Sequence, residues 1–74
     1  MEKTNCFIGH LEDITGSIVE ISKPIIDGGI EVLRVRCSNK EMLKAIKEMN
    51  IGDIIGVLYN ESKEITKASW LVRG

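Results

Sequence analysis

One stretch, from Ser38 to Asn50, breaks an otherwise β-like pattern. There the apolar period changes from two to 3.6, placing Met42, Ala45, Ile46 and Met49 on one helical face with Leu43 beside them. Ser38 and Glu41 have the spacing of a capping box, and Asn50 followed by Ile51-Gly52 reads as a left-handed exit. The rest of the apolar content falls in short, β-branched runs parted by turn residues. A single amphipathic helix set among such runs restricts the chain to a mostly β fold.

The runs read as five strands. Cys6 to Ile14 carries Ile8 and Ile14 on one parity and Phe7 and Leu11 on the other, and Gly9 between them predicts a bend or bulge. Ile14-Thr15-Gly16-Ser17 is a turn signal, after which Ser17 to Ser22 is a second strand that Pro24 should end. Lys23 to Gly29 reads as a loop closing on Asp27-Gly28-Gly29, residues that tolerate positive φ, and Ile30 to Cys37 as the third strand. Asp53 to Tyr59 is apolar enough for a fourth. After the polar turn Asn60 to Lys63, Glu64 to Val72 sets Ala68, Trp70 and Val72 against Lys67 and Ser69 in a fifth. At 74 residues these elements make one domain, residues 1–74, since smaller pieces would not bury enough surface to offset their ordering entropy. Aromatic residues are only 4% of the chain, so the core must be aliphatic.

The order of three strands, a helix and two strands resembles the OB-fold, a five-stranded Greek-key barrel with a helix between its third and fourth strands. The resemblance covers Gly9 to Val72. It rests on the glycine in the first strand, the Asp27-Gly28-Gly29 hairpin, the single helix, and Ile51-Gly52-Asp53-Ile54-Ile55 entering the fourth strand. An SH3-like barrel shares the meander but usually lacks a full helix at this place. The resemblance implies a binding face centred on the third strand.

On that strand, Arg34 and Arg36 point to one side and Leu33, Val35 and Cys37 to the other. Two guanidinium groups there suit phosphate contacts or stacking on bases, and they equally suit a solvated face paired with Glu20 or Glu31 across the hairpin. Lys23, Lys63, Lys67 and Arg73 are candidates for the rim of the same face, diluted by Glu61 and Glu64, and Tyr59 is the better stacking residue. Trp70, in phase with Ala68 and Val72, is expected in the core, while Phe7 is left open between core and surface because it lies near a terminus. His10 has no acid, serine or cysteine at relay spacing, and Glu12 and Asp13, being adjacent, face opposite ways on a strand.

A net charge of −1 gives no overall attraction to phosphate, so a nucleic-acid role needs a local basic face. No apolar run reaches the roughly 18 residues of a membrane span, and the opening residues lack signal-peptide character; a cytoplasmic protein is expected. Cys6 and Cys37 have no CxxC or metal-ligand spacing, so free thiols and no metal or other cofactor are expected. The expectation is a non-catalytic binding domain. Its partner is single-stranded DNA or RNA on the face of strands two and three, or alternatively a protein or a second copy using that face or an edge strand.

Overall fold

The computed structural model describes residues 3–72, with side chains through residue 69. It contains β1 (Asn5–Thr15), β2 (Ile18–Pro24), β3 (Ile30–Arg36), α1 (Lys40–Lys47), β4 (Ile54–Tyr59) and β5 (Ile65–Val72). The strands form one antiparallel sheet in the order β3-β2-β1-β4-β5. The mostly β architecture and element order are those expected from the periodicity.

β1 holds the sheet together because it serves two partners in succession. Asn5 to His10 pair with β4 and His10 to Thr15 with β2, and a bulge between Leu11 and Asp13 shifts the register. At Gly9 the Ser22 carbonyl fills the space of a side chain: a Cβ on Gly9 would lie 2.3 Å from that oxygen. Two strand backbones can approach this closely only where one carries no side chain. The inward parity then runs Phe7, Leu11 on β1, Val19 and Ile21 on β2, Leu33 and Val35 on β3, and Ile55 and Val57 on β4, all buried. Phe7 thus belongs to the core.

The expected barrel is not closed by a ladder. β3 meets the residues leading into β5 at one parallel bridge, Arg36 to Glu64, where the Arg36 N–H donates to the Lys63 carbonyl at 2.8 Å. The end of one strand meets the beginning of the other. The next parallel partners on either side, Arg34 with Ser62 and Ser38 with Thr66, would each need one residue outside its strand.

The helix is shorter than its apolar stripe, eight residues, and its N-cap is Asn39 rather than Ser38. The Asn39 side chain accepts the Met42 N–H at 3.0 Å, satisfying a first-turn donor, while the Ser38 hydroxyl turns to Glu64. The left-handed exit falls on Gly52 (φ 99°), two residues beyond Asn50. Ile46 and Met49 are buried and Met42 and Leu43 half-buried, but Ala45 is exposed, so the buried stripe is narrower than the period predicts. Ile46→Ala is expected to cost about 2–4 kcal/mol, read as a fall in the urea midpoint. An unchanged midpoint would contradict the docking of α1.

Candidate binding surface

β2 and β3 lie in register over seven pairs, from Ile18 opposite Arg36 to Pro24 opposite Ile30. Their outward positions alternate with the core positions, so one surface carries Ile18, Glu20, Ser22 and Pro24 beside Arg36, Arg34, Val32 and Ile30. The neighbouring strand β1 adds Asp13 opposite Glu20 and Thr15 opposite Ile18.

Arg34 and Arg36 therefore project as expected, but into mixed charge. Arg34 Nε donates to Glu20 Oε2 at 2.9 Å, across the strand pair. Asp13, Thr15, Ile18, Glu20 and Arg34 line one shallow depression. Two arginines against the nearby Asp13 and Glu20 leave little net positive charge on this surface.

The remaining cations divide. Lys23 lies within β2 rather than in a loop; it takes the inward parity of Val19 and Ile21, so it stands on the other side of the strand from the arginines. Its ammonium sits 4.7 Å from the Phe7 ring centroid and 3.6 Å from Glu31 Oε1. Lys67 pairs opposite Leu58 and lies in a separate depression with Cys6, Ile8 and Gly56, on the outer side of β1, β4 and β5. Lys63 does stand beside Arg36, through the Arg36 N–H to Lys63 carbonyl bond, and its ammonium lies 5.2 Å from the centroid of Tyr59. Tyr59 is half-buried and packs against the core. The structure joins Arg36 to Lys63 through their main chains and sets Lys63 against Tyr59, and it leaves Lys23 and Lys67 apart. Trp70 is opposite Ile55 in the β4–β5 register; its side chain, and Arg73, lie outside the described residues.

Asn60 explains why Lys63 is held there. Its side-chain oxygen accepts the N–H groups of Ser62 and Glu64, both at 3.0 Å, which fixes a tight turn with Lys63 at φ 61°.

Three features escape a reading by parity. Asp53 is 1% exposed at the mouth of β4, where its carboxylate accepts the Asn50 N–H and its carbonyl the Leu11 N–H; side chain and main chain of this one residue together fasten the helix exit to β1. Ser22, opposite His10, is also buried, and its hydroxyl donates to Glu12 at the β1 bulge while His10 Nδ1 lies 3.1 Å from the Gly52 carbonyl. Serine, histidine and glutamate are thus neighbours, but the serine is bonded to the carboxylate and not to the imidazole, which is not the arrangement that activates a hydroxyl nucleophile. The third feature is apolar exposure along the β2–β3 hairpin: Ile25 43%, Ile26 fully, Ile30 71% and Val32 52%. The signal for it is Ile25-Ile26 placed directly after Pro24 and before the Asp27-Gly28-Gly29 turn, where solvated residues are usual.

Of the two thiols, Cys6 is exposed and Cys37 buried; burial pushes the Cys37 thiol up from its ordinary pKa, outweighing the opposing influence of the Asn39 backbone. Among the described residues no group of three His, Cys, Asp or Glu side chains is placed to hold a metal ion, and no helix is long and apolar enough to cross a membrane. No family model matches the chain, and no curated protein or solved structure is significantly similar to it.

Proposed function

We propose that this chain is an OB-like domain that works by binding another protein chain through its β2–β3 hairpin and the open edge of β3. The strand order β3-β2-β1-β4-β5 with the helix between β3 and β4 supports the OB-like reading, with closure reduced to one bridge. The observation that carries the protein-binding reading is the exposure of Ile25, Ile26, Ile30 and Val32 on one hairpin. Scattered apolar residues are ordinary on a protein surface, but a run of them along one projecting element is characteristic of interaction sites. β3 has neither Pro nor a bulge to blunt its edge, and its charged residues Glu31, Arg34 and Arg36 leave Ile30 and Val32 exposed between them.

Affinity capture tests this reading, using tagged wild-type chain and the variant Ile30→Lys with Val32→Lys. The wild type is expected to retain a bound chain, another copy or another protein, that the double variant releases. Ile8→Lys, on the outer side of β1, should keep it. Capture insensitive to the hairpin change would end the proposal.

A second reading, weak binding of single-stranded DNA or RNA, is favoured by the proximity of Arg36, Lys63 and Tyr59. Affinity would be low and its salt slope shallow, because few phosphates are neutralised. The change Arg34→Ala with Arg36→Ala should abolish oligonucleotide binding with the fold intact, as both side chains are exposed. No binding by the wild type at low salt, where screening is least, would remove this reading.

A further inference from the structure

We propose that the partner of the β3 edge is a second copy of this chain, joined by an antiparallel β3–β3 ladder with Val32 on the twofold axis. The proposal rests on the protein-binding reading of the hairpin. Its starting point is the direction of the main-chain groups. Arg36 donates its N–H away from β2, to Lys63, whereas the next residue, Cys37, donates toward the β2 side, to the Ser17 carbonyl at 2.8 Å. In an antiparallel strand these directions alternate residue by residue, so Ile30, Val32 and Arg34 also turn their N–H and C=O groups away from β2. Pro24 agrees with this assignment: opposite Ile30 it occupies a position where no N–H toward β3 is required.

β3 stands at the end of the strand order, and with Arg36 engaged by Lys63 the open main-chain positions are Ile30, Val32 and Arg34. This set is symmetric about Val32. A twofold at Val32 places Val32 opposite the partner's Val32 and Ile30 opposite the partner's Arg34, so each open position meets another.

The neighbouring registers are worse. Centring on Glu31 opposes two glutamates, and centring on Arg34 opposes two arginines, both destabilising. Centring on Leu33 sets Ile30 against the partner's Arg36, whose N–H is already taken. The Val32 register also matches charge at both ends of the ladder. It brings the exposed Asp27 of each hairpin tip level with the partner's Cys37, next to the partner's Arg36 and the partner's Lys63. Arg36 takes part in neither of the ion pairs among the described residues, Lys23–Glu31 and Arg34–Glu20. On the outer side Val32 covers Val32, and each Ile30 lies along the aliphatic stem of an arginine.

Light scattering on the full chain, from about 10 µM to about 1 mM to span weak dissociation constants, tests association. The apparent mass is expected to climb from 8.2 kDa toward twice that value. Val32→Lys, at an exposed position, should hold the monomer mass with an unchanged circular dichroism spectrum, and Ile8→Lys should associate like the wild type. Register is tested by oxidising Val32→Cys in a Cys6→Ser background. Opposed Cα atoms of a hydrogen-bonded antiparallel pair lie about 5.5 Å apart, within disulfide reach, so this variant should cross-link to a dimer. Glu31→Cys, opposite Leu33, should not. A mass of 8.2 kDa at every concentration, wild-type association by Val32→Lys, or equal cross-linking of the two cysteine variants would each overturn the proposal. If the chain stays monomeric while capture of a different protein still depends on Ile30 and Val32, the second copy is ruled out and the hairpin reading stands; if capture fails as well, both fall.

Discussion

Gly9→Ala is expected to unfold this domain or bring it close to unfolding, although alanine is among the mildest substitutions a strand can receive. The new Cβ would lie 2.3 Å from the Ser22 carbonyl oxygen, 2.9 Å from the Ser22 carbonyl carbon and 3.0 Å from Ile21 Cγ2. Two of these three atoms are backbone, so the clash cannot be relieved by a rotamer change. β2 must move off β1, and the buried pair Leu11 and Ile21, opposite one another in the same ladder, separates with it. Overpacking in a rigid site costs about 1–3 kcal/mol and more where backbone must shift, and we expect the upper end or beyond. A single hydrophobic core in a chain of this size rarely supplies more than about 3–5 kcal/mol. Gly16→Ala is the natural comparison: Gly16 has φ 60° with open space around it, so alanine there meets backbone strain alone, about 1–2 kcal/mol. Thermal melts of the two variants should therefore separate clearly. A Gly9→Ala protein as stable as Gly16→Ala would mean that β1 does not pack this closely against Ser22.

Leu11→Ala should be the most damaging truncation in the core. Leu11 is fully buried, and it stands where β1 passes from β4 to β2. Its N–H donates to the Asp53 carbonyl at 2.9 Å and its carbonyl accepts the Gly52 N–H at 2.8 Å. With its backbone pinned on one side and its side chain opposite Ile21, the site has little freedom to collapse around a lost isobutyl group. The expected cost is about 3–5 kcal/mol, the upper part of the range for leucine truncation. Leu11→Met keeps most of the volume and should cost less than about 1.5 kcal/mol. Equilibrium urea unfolding distinguishes the two, and equal midpoints would show that this position is not packed as described.

Much of the candidate surface was legible from strand three alone. Strict alternation assigned Leu33 and Val35 to the core and Arg34 and Arg36 to the outside, because side-chain direction in a strand depends on nothing but position. The pairing of Arg34 with Glu20 was one of the two readings that alternation allowed, and the cross-strand register selected it. The sequence places Lys23 in the loop because a proline usually ends a strand. The ladder instead runs through Pro24, at a position where its missing N–H is not needed.

The sequence by itself determined that five strands and one helix form, roughly where the chain turns, and which parity of strand three faces an aliphatic core. These are consequences of period, β-branching and glycine placement, all of which act within a few residues. Only the tertiary structure decided that β3 ends the sheet with its edge open, that Gly9 yields its side-chain space to Ser22, that Asp53 is buried at the helix exit, and that Lys63 joins Arg36 while Lys23 and Lys67 do not. Each of these depends on which distant backbone comes alongside. That is settled by the bulge of β1, shared between two partners, and no local pattern encodes the distance between strands that never adjoin in sequence.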